Sequence, residues 1–164
     1  EQDDGALVGR FNYGSARHLV MAGHAVGEEL TRRQKAAAAE APDKGSIILL
    51  VATDAPLDTR QLRRLALRAG AGLARTGSVF GHGSGDIALA FTTAYTVPQD
   101  ARQPMPCLAM LHDALLDPLF RAVADATEQA IVHALWQAQA VTGRDGHHRA
   151  ALADLWPDWP GLRA

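Results

Sequence analysis

The chain has 164 residues, 48% apolar and 21% charged, values that suit a soluble globular domain, or part of one, with a substantial core. A formal net charge of −2 argues against a general nucleic-acid or membrane-surface binder, and the single cysteine, Cys107, excludes an internal disulfide without fixing the redox compartment. The longest strongly apolar run, Ile47 to Ala52, falls far short of the ~20 residues that a bilayer span needs. No signal peptide is visible, but the first residue is Glu1 rather than Met; the reading is a cytoplasmic protein, with the periplasm left open.

In chain order, Gly5 to Phe11 mixes apolar and small residues in a strand-like way, and Asn12-Tyr13-Gly14-Ser15 reads as a turn. His18 to Met21 is a second strand-like stretch ending at Gly23. From Glu28 to Lys44 charge and alanine dominate, so that segment is either a short helix or a mobile connector. At Gly45-Ser46 the character changes. Ser46 to Thr53 is a continuous β-branched and aliphatic run, which predicts a strand buried on both faces.

Asp58, with Gln61 three residues on, is a capping-box pattern that starts a helix. Leu62, Leu65, Ala66, Ala69 and Leu73 form its buried face, and Arg60, Arg64 and Arg68 stripe another side. Gly77 to Gly85 reads as a glycine-rich loop, Ile87 to Thr93 as a strand, and Thr96 to Pro106 as a loop. Asp117-Pro118 starts a long helix whose face runs through Phe120, Val123, Ala124, Thr127, Ile131 and Leu135, with Gly143 as its expected stop. The tail with Trp156-Pro157 and Trp159-Pro160 shows no periodicity and reads as disordered. The whole is a layered α/β domain.

Several groups could carry chemistry. Gly45-Ser46 sets a hydroxyl residue behind a small one at the head of a buried strand. A chain that cuts itself at such a junction uses the hydroxyl to attack the preceding carbonyl, and the amine so freed can serve as a base near neutral pH. The same dipeptide also reads simply as the start of a strand. In His82-Gly83-Ser84-Gly85-Asp86, an extended backbone would put His82, Ser84 and Asp86 on one side, but contiguous residues rarely form a triad. A phosphate loop or a structural glycine turn are the other readings. Asp145, His147 and His148 are a weak metal-ligand set, and the arginine stripe is either a solvated face or an anion grip.

One resemblance singles out among these. Gly45-Ser46-Ile47-Ile48-Leu49-Leu50-Val51-Ala52-Thr53-Asp54-Ala55-Pro56-Leu57 resembles the start of the catalytic chain of the P1-type peptidases, the L-aminopeptidase/D-esterase and β-peptidyl aminopeptidase enzymes. The likeness continues in Leu73-Ala74-Arg75-Thr76-Gly77-Ser78, Gly81 to Ile87, Ala126-Thr127-Glu128 and Thr142 to His147. Upstream, Phe11-Asn12-Tyr13-Gly14 and Ala25 to Leu30 resemble the end of the family's preceding chain, so the likeness spans about residues 5 to 148.

The resemblance implies an N-terminal-nucleophile-hydrolase-like αββα sandwich and a precursor that cuts itself between Gly45 and Ser46. It implies Ser46 as nucleophile, Ser84 and Asp86 as the flanking hydroxyl and acid, and Asn12 as an oxyanion donor. Residues 1–45 would be the end of the first chain with its connector, 46–148 the catalytic chain, and 149–164 a tail outside the family pattern. The implied activity is removal of N-terminal residues from short peptides, amides or esters, with no metal or organic cofactor and a homo-oligomeric assembly.

The family's first chain is much longer than the 45 residues here, so the sandwich is expected to need a preceding segment or chain. A non-catalytic truncated relative is the alternative from another class. A third is the ornithine acetyltransferase branch, whose nucleophile is usually Thr. His133, where many members have Asn, has no functional account.

Overall fold

A computed structural model of the chain describes residues 6–12 as backbone and residues 16–33, 45–146, 148–157 and 159 in full. Strands β1 (Ala6–Asn12), β2 (Ser46–Thr53) and β3 (Gly85–Thr92) form one sheet in that order. β1 runs antiparallel to β2, and β2 runs parallel to β3. A parallel pair needs a crossover, which helix α2 (Thr59–Arg75) supplies. Its start is the expected capping box: Asp58 accepts from the Gln61 amide at 2.6 Å, and the Gln61 side chain accepts from the Asp58 amide at 3.0 Å. Two of the helix's first orphan donors are satisfied in this way.

Helix α3 (Asp117–Gln137) lies against α2. Gly72 permits the close approach, because a Cβ there would collide with the Ala124 carbonyl and Thr127. The main core joins Ile47, Leu49 and Val51 of β2 to Leu65, Ala69 and Leu73 of α2 and Leu119, Val123 and Ile131 of α3. Both helices therefore cover the same face of the sheet.

Among the described residues nothing covers the other face. Ile48 and Leu50 on β2 are 45% and 36% exposed, and Ile87, Leu89 and Phe91 on β3 are all at least half exposed. The expectation that β2 is buried on both faces is thus corrected. Its residues alternate between covered and exposed, because α2 and α3 shield one side only.

Other expectations also change. His18 to Met21 is not a strand: Ala16–His18 is a 3-10 turn, and Met21 makes a single bridge to His24. The turn predicted at residues 12–15 falls mostly on 13–15, outside the described residues, and Asn12 itself ends β1. Of the two readings of the charged segment, its start is helical: helix α1 spans Val26–Arg33, and its buried face is Val26, Gly27 and Leu30. Residues 34–44 lie outside the described residues.

Helix α3 stops at Gln137 rather than Gly143, with Ala138 already extended. The β-branched pair Val141–Thr142 then forms β4, which pairs with β5 (His148–Arg149) across a turn that holds Gly146 at φ 73°. The described part of the tail is not structureless: it holds a short helix, α4 (Leu152–Leu155), and Trp159 is buried. Trp159 belongs to a second cluster with Leu19, Met21, Val26 and Leu30. Among the described residues no helix is long and apolar enough to cross a membrane.

Candidate active site

The three strands bring their ends together. In register, Asn12 stands opposite Ser46 across the antiparallel pair, and Gly85 stands beside Ser46 across the parallel one. Ser46 is exposed as the first residue of β2, while the Gly45 just before it is buried. The Gly45-Ser46 peptide therefore sits at a rigid strand head, which fixes a side chain's direction better than a loop would.

Two hydrogen bonds organise the site. Ser46 Oγ accepts from the Gly85 amide at 3.2 Å, and Ser84 Oγ donates to Asp86 Oδ1 at 2.7 Å. Gly85 lies between Ser84 and Asp86 in sequence, so one three-residue segment carries both bonds. A Cβ on Gly85 would stand 3.5 Å from Ser46 Oγ, an ordinary contact.

The register adds a constraint. Neighbouring residues in register share a face of the sheet. Ser46 aligns with Gly85 on the open face, and Ile47 aligns with Asp86 on the helix-covered side. Asp86 also borders a cleft of about 470 Å³ between α2 and β3, with Ile47, Leu49, Arg63, Leu73 and Phe80. The acid thus approaches the Ser46 end of the sheet from the other side, and Ser84 is its immediate partner.

His82 is exposed and lies in a turn closed by the Ser84 amide donating to the Gly81 carbonyl at 2.9 Å, so the extended His82-Ser84-Asp86 alignment does not form. The arginine stripe is engaged within the fold. Arg60 donates twice to Asp113 at 2.8 Å, Arg64 reaches the same carboxylate at 3.2 Å, and the Arg68 guanidinium lies 4.0 Å from the centroid of the Phe120 ring.

The hydrogen bonds from Arg60, and then from Gln61, hold the Asp113 carboxyl well below its ordinary value of 3.8. Of the metal set Asp145, His147 and His148, His147 lies outside the described residues. Among the described residues no group of three or more His, Cys, Asp or Glu side chains could hold a metal. The Asn12 side-chain amide likewise lies outside the described residues, which give Asn12 its backbone register only. Sequence reasoning missed the Gly85 amide, because a parallel register carries no local signal that would place it beside Ser46.

The comparisons with known proteins converge. The model of peptidase family S58 matches residues 4–149. A beta-peptidyl aminopeptidase, BapA, of Sphingosinicella microcystinivorans is 41% identical over 154 residues, which is 87% of this chain and 39% of the relative. The PH0078 protein of Pyrococcus horikoshii OT3 superposes with a TM-score of 0.76 at 42% identity, covering 90% of this chain and 40% of its own. An L-aminopeptidase D-Ala-esterase/amidase of Ochrobactrum anthropi, described as a prototype of the serine aminopeptidases with a variant Ntn hydrolase fold, gives 0.71 at 27% identity, covering 93% and 47%. The chain therefore spans about two fifths of the length of the first two relatives. Its α/β layers are part of an Ntn-hydrolase-like fold.

Proposed function

The chain belongs to peptidase family S58, and from that premise we propose that it is the nucleophile-bearing part of a self-processing serine aminopeptidase. The observation that carries the reading is the meeting of Ser46, the Gly85 amide and the Ser84–Asp86 pair at one end of the sheet, with Asn12 opposite Ser46 in register. The proposed division is residues 1–45 as the end of a first piece, 46–148 as the catalytic piece and 149–164 as its tail.

In the first reaction the Ser46 hydroxyl attacks the Gly45 carbonyl. The C–N bond breaks as the acyl group moves to oxygen, and the proton lost by the hydroxyl ends on the new amine. Water then splits the ester, leaving a Gly45 carboxylate and a free Ser46 α-amine. That amine has an ordinary pKa of ~7.7–8.0, so part of it is unprotonated near neutral pH and can take the Oγ proton in each later turnover.

The substrate carbonyl accepts Oγ, the leaving amine or alcohol departs with a proton, and water hydrolyses the acyl-enzyme. An Asn12 amide aimed at the developing oxyanion would supply about 3 kcal/mol, by analogy with oxyanion-hole deletions. Asp86 either orients the nucleophile through Ser84 or receives a substrate ammonium.

The proposed substrates are short peptides, amino-acid amides and esters carrying a free N-terminus. The proposed partner is the remainder of the polypeptide, present as a preceding segment or a separate chain, which would cover the apolar face formed by Ile48, Leu50, Ile87, Leu89 and Phe91. A homo-oligomer completes the proposal.

Intact-mass spectrometry and hydrolysis of aminoacyl p-nitroanilides test the mechanism together. The wild-type chain should split after Gly45. Ser46→Ala should give a single uncut mass and lose at least ~10³-fold in kcat/KM. Full activity from an uncut chain would overturn the mechanism, because an uncut Ser46 has no free amine.

A further inference from the structure

The tail was expected to be disordered, and it lies almost wholly beyond the stretch that carries the family match, which ends at residue 149. Yet it is tied to the part of the chain that precedes the cleavage junction. Trp159 is 5% exposed, and it packs in one cluster with Leu19, Met21, Val26 and Leu30, all upstream of Gly45. Leu152, Leu155 and Trp156 of the tail and Val132 and Trp136 of α3 close around them. The Trp159 ring lies 5.8 Å from Trp136 and 6.5 Å from Trp156, centroid to centroid. At the last residue of α1, the Arg33 guanidinium sits 4.5 Å from the centroid of the Trp156 ring.

We infer that this C-terminal segment is a strap that retains the piece ending at Gly45 after the chain is cut. The inference rests on the self-processing reading above, and it adds a function for residues that the reading does not use. α1 has only eight residues, too few for a helix to persist by itself in water. Its apolar side, Val26 and Leu30, is buried in the cluster that the tail closes.

Two contacts tie the segment just before α1 to the body. The Val20 amide donates to the Thr76 carbonyl at 3.0 Å, and Gly77, at φ 95°, leaves room for the His18 carbonyl. The β1–β2 ladder adds a second attachment at the start of the piece. Aromatic rings suit the task, since each buries a large apolar area and stacks with its neighbours in a defined geometry. After cleavage only non-covalent contacts would hold the two pieces together, and the tail's packing adds to them and slows their separation.

The test separates the strap from self-cleavage. In the full protein carrying Ser46→Ala, a recognition sequence for a site-specific protease is placed within residues 34–44. The chain is then cut by the added protease, whether or not Ser46 has any chemistry of its own. Release of the first piece is followed by size-exclusion chromatography, and amide hydrogen exchange is followed by segment.

With the native tail the piece should stay bound. Deletion of residues 150–164, or Trp159→Ala, should speed its release at least tenfold and raise exchange across 19–33 at least tenfold. Exchange in β2 and α2 should be unchanged. Trp156→Ala, at a less buried ring, should act in the same direction with a smaller effect. Unchanged release in the deletion variant overturns the strap. So does exchange that rises equally in α2 and β2, which would make the tail part of the general core.

Discussion

The two faces of the sheet are made by the same strands and meet opposite fates. On one face Ile47, Leu49 and Val51 are at most 4% exposed, under α2 and α3. On the other, Ile48 and Leu50, with Ile87, Leu89 and Phe91 beside them, form a continuous apolar surface open to solvent. A run of aliphatic residues on both sides of a strand is the pattern of a sheet meant to be covered twice, and the described residues cover one side. Ser46 heads the uncovered side. The proposed nucleophile therefore lies on the face that the described residues leave open.

Neighbouring leucines distinguish the two faces most directly. Leu49→Ala should cost about 2–5 kcal/mol of stability in denaturant unfolding, from lost transfer energy and an unfilled cavity. Leu50→Ala, one residue on and pointing the other way, should change it by no more than about 0.5 kcal/mol while the open face remains uncovered. Equal losses would mean that the open face is packed in solution, most simply by a second copy, and a mass measurement in solution would show it.

Asp86 sharpens the contrast next, because it shares a face with Ile47 yet bonds to Ser84. Asp86→Asn keeps the shape and removes the charge. If the acid serves the chemistry, kcat/KM should fall about a hundredfold, ~2.7 kcal/mol of transition-state stabilisation, with the melting temperature held within a few degrees. A variant that loses stability and keeps its activity would assign Asp86 to packing.

The smallest effect lies on the polar rim of the covered side. Because Arg60 and Gln61 lower the folded-state pKa of Asp113, its ion pair stabilises the fold above the ordinary carboxylate range. That contribution is lost as pH falls below 3.8 toward the folded-state value. The groups are exposed and screened by solvent, so the contribution is modest. Asp113→Asn should lower the neutral plateau of a stability-versus-pH curve slightly, leave the acid end unmoved, and so flatten the acid limb by the same small amount. A steeper acid limb in the variant would reverse the assignment.

What the sequence made legible follows from how local the signal was. The capping box at Asp58–Gln61 and the aliphatic run from Ser46 to Thr53 are written in adjacent residues, and α2 and β2 start where those residues indicate. The sidedness of β2 was not legible, since burial depends on whether a second layer is present and not on the strand itself. The stop of α3 was misjudged because Gly143 suits a hairpin turn as well as a helix end, and the β-branched Val141–Thr142 pair draws the chain into β4 first. The tail looked structureless because its order comes from three tryptophans that meet in space without any sequence period. At the site, Ser84 and Asp86 were readable as a pair two residues apart. The Gly85 amide at Ser46 was not, because it arrives from a strand 39 residues away.

That amide also dictates the directions of traffic around the oxygen. A serine hydroxyl has two lone pairs and one hydrogen, and the N–H from β3 occupies one lone pair at 3.2 Å. The flank toward β3 is taken. Any partner of the hydrogen, or of the remaining lone pair, must therefore reach the oxygen from outside that flank.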